Sequence, residues 1–415
     1  MNPVTLLIVG AGARGTGYAT FARQHPDRAR VVGVAEPRDH YRSAMAEAYD
    51  VPPENVFTDW TQAAERDRLA DAVIIGTPDA VHADPAIAFA NKGYHMLLEK
   101  PMAPTESDCR RIVSAVLDSG ILFAVGHVMR YTAYTQQLKA LLDAGRIGQL
   151  VSVQHFEPVG YWHQAHSFVR GNWGNEARSS CMLLAKSCHD LDWLSYMLGV
   201  PCRRVSSFGS LTHFVRANQP AGAADRCLDC SVEPTCPYSA KKIYLGRLAR
   251  GHTGWPVDVL TPDLTEGGIT EALRTGPYGR CVYACDNDVV DHQVVNMAFA
   301  GGQTAAFTMT AFNEAGHRKT RLFGTAGEIT GDGRKLHVFD FLTDETEVID
   351  TASPDAGILG GHGGGDYGLM DSFIAAVASG DAAPILSGPS ETLESHLMVF
   401  AAERARLNGT VEEVT

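Results

Sequence analysis

The sequence of 415 residues contains no stretch approaching the ~20 uninterrupted apolar residues that a membrane-spanning helix needs. It also lacks any Lys/Arg-rich run, and 48 acidic residues against 35 basic ones leave a formal net charge of -13. That balance argues against an electrostatic hold on nucleic acid or on an anionic membrane surface, and the expected partner is a small molecule. The N-terminal MNPVTLLIVGAGARG has no basic region before its apolar run, which passes into a glycine motif where a cleavage site would stand. The expectation is a cytoplasmic chain without a signal peptide. Cysteine is sparse and odd in number, nine in all, which points to thiols or metal ligands before disulfides. What remains is 45% apolar and 20% charged, an ordinary globular composition, and its length exceeds what one hydrophobic core usually serves. About two domains are expected.

From Val4 to Val125, short apolar runs (TLLIVG, RVVGVAE, DAVIIGTP, HMLLEKP, ILFAVGH) alternate with amphipathic stretches. Buried strands alternating with helices predict a parallel sheet covered on both faces. Beyond the helix-like YTQQLKALLDAG the texture changes to strand-like runs broken by Gly pairs, such as QLVSVQHFEP and HQVVNMAFAGGQTAAFTMTAF. These predict a mostly antiparallel sheet. The reading is therefore an α/β Rossmann domain over 1–126, followed by an α+β domain with a large open sheet over 127–415. A Cys-, Gly- and Pro-rich insertion is expected at about 217–285. DYGLMDSFIAAVASG and SETLESHLMVFAAERARLNG read as two closing helices.

Gly10, Gly12 and Gly15 form a GxGxxG between the first apolar run and a helical stretch. Such glycines permit a tight turn and close approach of a pyrophosphate, and the helix N-terminus adds N-H groups and positive dipole. The next strand ends in Glu36, close to the ~20-residue spacing expected for a carboxylate on the adenosine ribose, which favours NAD. Arg38 could instead pair with a 2'-phosphate, leaving NADP open.

Glu99-Lys100-Pro101 after HMLL, the GTPDAVH segment from Gly76 to His82, and the later RIGQLVSV and SCHDLDWLSYMLG resemble the glucose-fructose oxidoreductase, inositol dehydrogenase and MocA family (Gfo/Idh/MocA). The resemblance implies cofactor contacts from Arg14, Thr77, Pro78, His82, Glu99 and Lys100 as well as from the glycines. It puts Lys100 beside nicotinamide and substrate, where an ammonium lowers the pKa of a substrate hydroxyl. It makes His189 the general base. Members typically carry an aspartate four residues before that histidine. Here position 185 is Ala, and Lys186, three residues before His189, is the expected stand-in on the same helix face. Arg130 and Tyr131 match family positions near the active site. With Trp162, His163, Arg170 and Trp173 they are the expected substrate contacts, since aromatic faces and polar tips suit a sugar. His166 belongs to the same aromatic cluster. His362 to Asp366, GHGGGD, resembles a segment of sugar-active relatives and equally suits a glycine loop capping a helix. A homodimer or homotetramer is implied by the resemblance alone.

Cys227 and Cys230 form a CxxC, Cys236 follows closely, and Cys281 or Cys285 lies at the far end of the insertion. Structural zinc is one reading of this set, with Cys281 as the fourth ligand. Unligated thiols, an iron-sulfur cluster and a disulfide are the others. A metal would hold together an insertion expected to be too poor in apolar residues for its own core. Three functions stay open: oxidation of a secondary hydroxyl on a sugar, glycoside or cyclitol; a redox-neutral glycosidase or lyase working through a 3-keto intermediate; and a non-catalytic dinucleotide-binding regulator.

Overall fold

The computed structural model describes residues 2–352 and 361–415, and its first layer is built by the apolar runs of the N-terminal third. Strands β1 (Val4–Val9), β2 (Ala29–Ala35), β3 (Val56–Phe57), β4 (Ala72–Ile75), β5 (His95–Leu98) and β6 (Phe123–Val125) form one sheet, ordered β3-β2-β1-β4-β5-β6. All its pairs are parallel. Because side chains alternate along a strand, Leu6 and Ile8 enter one apolar core while Leu7 and Val9 enter the other. Strand order reverses between β1 and β4, so the crevice beyond their carboxyl ends is the topological position for a ligand. Gly10 follows β1 there, and Gly76 and Thr77 follow β4.

The second sheet has nine strands. They are β7 (Leu150–Pro158), β8 (Cys202–Ser210), β9 (His292–Phe299), β10 (Thr304–Thr310), β11 (Lys319–Gly324), β12 (Gly327–Gly331), β13 (Lys335–Asp340), β14 (Glu345–Asp350) and β15 (Val411–Glu413). Their order is β14-β13-β12-β11-β7-β10-β9-β8-β15. Only β7 and β10 pair in parallel among them; the remaining pairs are antiparallel. Val153, Val295, Phe307 and Leu322 point inward and share a core with Leu191, Trp193, Val399 and Ala402 of the helices Cys188–Leu198 and Pro389–Asn408. The other face carries exposed Thr304, Ala306, Thr308, Lys319 and Arg321, and has no covering layer among the described residues. A concavity of about 640 Å³ lies on it, lined by Gln154, Thr308, Arg321 and His337 but by none of the expected catalytic residues.

Two features differ from expectation. The helix Gly365–Ser379 turns back onto the first layer, where Leu369, Met370, Phe373 and Ile374 complete the core of Leu6, Tyr18 and Ile74. The insertion contributes Tyr238, Ile243, Tyr244, Ile269 and Leu273 to a core that it shares with Val169 and Phe214 of the preceding chain. That corrects the premise of a metal-dependent insertion. Cys227, Cys230, Cys236 and Cys281 do converge on one small void of about 20 Å³. Among the described residues, however, no group of three or more His, Cys, Asp or Glu side chains is arranged to hold a metal ion. Cys227 Sγ instead accepts from Arg170 Nη2 at 3.5 Å, Cys281 Sγ accepts from Gln219 Nε2 at 3.7 Å, and all nine cysteines are free thiols. The zinc expectation is not supported by this arrangement.

Candidate active site

Gly10 sits at φ +89°, and a Cβ there would lie 2.7 Å from Gly76 O. At Gly15 the Cβ would stand 1.9 Å from Gly10 O, so only hydrogen fits between the turn and the helix Ala13–Gln24. The bare backbone and the helix N-terminus face the crevice described above, a cradle that suits a dinucleotide pyrophosphate. Thr77 Oγ1, buried beside this turn, has no hydrogen-bond partner among the described residues and suits the same ligand. Glu36, 2% exposed after β2, accepts from the Ala11 N-H at 2.8 Å and from Arg38 Nε at 2.7 Å. Burial alone would raise this carboxyl, but the bonds from Arg38 and Ala11 outweigh it and hold the group below its usual range. Arg38 is thus a partner of Glu36, stacked over Tyr41 at 4.2 Å, and not simply a solvated side chain.

The expected cofactor residues divide into two groups. Pro78 leads the short turn Asp79–Val81 beside Thr77. Arg14, in the first turn of the glycine-loop helix, is tied to Glu99 at 2.9 Å and to Asp366 at 2.5 Å. Glu99 also accepts from the Tyr18 hydroxyl at 2.7 Å. These bonds brace the loop from behind. Asp366 is the last residue of GHGGGD, whose His362 side chain lies outside the described residues. His82 is fully buried, with its two nitrogens 2.9 Å from Thr77 O and Pro101 O. It pins the two cofactor-side loops together.

Lys100 follows β5 and donates to Ala185 O at 2.8 Å. The residue that replaces the expected aspartate therefore still meets the lysine, through its carbonyl. His189 lies in the first turn of the helix Cys188–Leu198, 6% exposed, with its ring edge-on to His127 at 5.6 Å. Lys186 does not continue that helix. It caps the separate turn Met182–Ala185, which corrects the expectation of a shared helical face. Its Nζ lies 3.0 Å from Glu157, whose other oxygen meets Arg318 at 2.6 Å. Arg318 in turn holds Asp190 at 2.8 Å, and Asp190 lies 3.0 Å from His155. Neither Glu157 nor Arg318 was anticipated. The period-2 reading of VSVQHFEP would have flagged Glu157, which shares an inward face with Val153 and His155.

Of the expected substrate contacts, three are spent on structure. Arg130 forks onto Asp192 at 2.7 and 2.8 Å and donates to Leu386 O. The Tyr131 hydroxyl accepts from the Leu386 and Ser387 amides, and Arg170 donates to Arg280 O and Tyr238 O in the insertion. All three are buried. Trp173 donates to Asp79 at 3.2 Å and packs on the larger core. Trp162 and His163 stack at 5.8 Å, while His166 is buried with its Nδ1 2.8 Å from the Tyr244 hydroxyl. Burial, then the charge of Lys186, pushes the His163 imidazole well below its ordinary range.

Burial pushes His127 and His166 down to about 3, and His396 to about 4. Each stays neutral in the folded chain while its unfolded counterpart gains a proton below about pH 6.5. Stability is therefore lost as pH falls from 6.5 towards 4, by about 1.4 kcal/mol per pH unit for each such ring. Urea midpoints measured from pH 7.5 to 4.5 are expected to be flat above 6.5 and to fall steeply below it.

The family described as oxidoreductases with an NAD-binding Rossmann fold matches residues 4–127, and its C-terminal alpha/beta domain matches residues 139–414. The chain belongs to the Gfo/Idh/MocA oxidoreductase family. A 2,7-anhydro-N-acetylneuraminate hydratase of Escherichia coli is 28% identical over 207 residues, 50% of this chain and 53% of that protein. Inositol 2-dehydrogenase 2 of Saccharopolyspora erythraea is 28% identical over 193 residues, 46% and 53% of the two chains. The chain thus matches these two Gfo/Idh/MocA relatives over about half their length. A levoglucosan dehydrogenase solved with NADH and levoglucosan shares the fold along both whole chains, with TM-score 0.72 and 18% identity.

Proposed function

We propose that this Gfo/Idh/MocA member is an NAD(P)-dependent dehydrogenase acting on a secondary hydroxyl of a sugar, glycoside or cyclitol. The observation that carries the reading is the meeting of Lys100 and the His189 segment, through Lys100 Nζ and Ala185 O, next to the glycine cradle. A nicotinamide dinucleotide held by the Gly10–Gly15 turn and Glu36 would supply the hydride acceptor for the carbinol carbon. The protein's task is the proton and the charge. His189 takes the hydroxyl proton, and Lys100, with N-H groups to spare beyond the one on Ala185 O, stabilises the developing alkoxide. Lys186, held by Glu157, presents further donors to a neighbouring hydroxyl. The names of the relatives, an inositol dehydrogenase and a levoglucosan dehydrogenase, support this substrate class.

The Escherichia coli hydratase supports a second reading, a redox-neutral enzyme that oxidises transiently, eliminates or adds water at the activated position, and restores the hydride. One experiment divides the two: NAD or NADP with a panel of sugars, cyclitols and glycosides, followed for both reduced cofactor and altered substrate. Net reduction supports the dehydrogenase, conversion without net reduction the second reading, and inert panels with tight cofactor binding overturn both. Glu36 favours NAD and its pairing with Arg38 leaves NADP open. Assembly as a homodimer or homotetramer fits the uncovered sheet face, where Phe208 and Val294 are exposed.

Lys186→Ala is expected to raise KM for the active substrate about tenfold, with kcat changed less than about threefold, because a charged hydrogen bond to bound substrate is lost. Wild-type kinetics in that variant would remove Lys186 from the site.

A further inference from the structure

The insertion does more than add to a shared core: it delivers one aromatic ring to the Trp162–His163 segment. Trp255 lies 4.9 Å from His163, 5.2 Å from Trp162 and 5.4 Å from His166, centroid to centroid. It nevertheless remains 48% exposed. A single exposed apolar residue is ordinary, and a tryptophan placed only to close a core would be covered. Here the neighbours make a shelf. Trp162 is partly exposed beside it, and the Arg247 guanidinium, also from the insertion, stands 3.9 Å from the Trp162 ring centre. His163 connects the shelf inward: its ring lies 5.7 Å from Phe168, which shares a core with Ala185 and Cys188, the neighbours in sequence of Lys186 and His189. An aromatic plane flanked by an imidazole and a guanidinium matches a pyranose ring, which offers a C-H face and a hydroxyl rim. A protein partner would need a far larger apolar area. Val259 is the other large apolar side chain exposed in this insertion among the described residues.

We infer that Trp255, with Trp162 and Arg247, forms a second sugar subsite beside the reacting centre, which takes the second pyranose ring of a glycoside. The inference rests on the reading that Lys100 and His189 oxidise a sugar hydroxyl, and adds that the substrate has at least two rings. Trp255 then determines specificity without taking part in the proton steps.

The test uses the full-length enzyme with NAD and NADP, and compares D-glucose, D-galactose and methyl β-D-glucoside with cellobiose, maltose, lactose and 4-nitrophenyl glycosides. The two-ring compounds are expected to exceed their one-ring counterparts about tenfold in kcat/KM. W255A is expected to remove most of that advantage while leaving the one-ring values within about threefold. W255F is expected to restore part of it, which guards against a misfolded variant. Two-ring compounds no better than one-ring ones, or an equal loss on both in W255A, would overturn the subsite while leaving the dehydrogenase reading intact. If none of these sugars is turned over, saturation-transfer NMR on the NADH-bound protein with cellobiose and maltose decides. Saturation of the second ring that disappears in W255A supports the subsite, and its absence from the wild type rejects it. The dehydrogenase reading falls separately, on a panel in which no hydroxyl compound reduces the cofactor.

Discussion

Lys100→Met is expected to lower kcat/KM by about 10²- to 10⁴-fold on whichever hydroxyl substrate proves active, while NADH binding, followed by its fluorescence, changes less than about threefold. Methionine retains most of the side chain's length and apolar stem but has no N-H to offer. The loss therefore falls on the developing alkoxide, and the bond to Ala185 O disappears with it. His189→Asn is expected to show a loss of the same order. The double variant should be little worse than either single one, because the two groups act on one hydroxyl. A Lys100→Met enzyme with unaltered kcat/KM would separate Lys100 from the chemistry.

Arg130→Ala is expected to destabilise the chain by about 3 to 5 kcal/mol, read as a drop in the urea midpoint. Arg130 and Asp192 are 3% and 0% exposed, and their forked pair joins the segment after β6 to the His189 helix. Burial would raise the Asp192 carboxyl, but Arg130 outweighs it and holds the group below its usual range. Removing the guanidinium leaves an uncompensated buried charge. Arg130→Lys, which can offer one bond but not a fork, is expected to fall between. An Arg130→Ala protein of wild-type stability would return Arg130 to the list of substrate contacts.

The residues whose roles depend on local backbone were legible in the sequence. A glycine at +89° or one packed 1.9 Å from a carbonyl announces itself by type and spacing, and the run LLIV by its continuity. What the sequence concealed was contact across long separations. Glu157 precedes Lys186 by nearly thirty positions and Arg318 follows it by more than a hundred, and only the sheet's register brings β7 and β11 together at that end. Arg130, Tyr131 and Arg170 bear the polar tips of substrate contacts. Burial, which one sequence does not display, turned those tips toward Asp192, Leu386 and the insertion. The expected helix start at Ser390 was also one residue late: the helix begins at Pro389, with Gly388 preceding it and no side-chain cap. The insertion misled by composition, because Tyr238, Tyr244, Tyr278 and Tyr283 are scattered among Cys, Gly and Pro yet gather into one core.

The return of the helix Gly365–Ser379 to the nucleotide layer has a consequence for biosynthesis. Leu369, Met370 and Phe373 seal the core begun by Leu6 and Ile8, and Asp366 ties down Arg14 beside the glycine turn. A ribosome that has released residues 1–126 has made every strand of that layer but not its lid. That layer thus waits, with apolar surface uncovered, for residues that emerge some 240 positions later. A nascent chain stalled before Gly365 is therefore expected to keep this apolar surface exposed and to engage chaperones until the helix Gly365–Ser379 has left the tunnel.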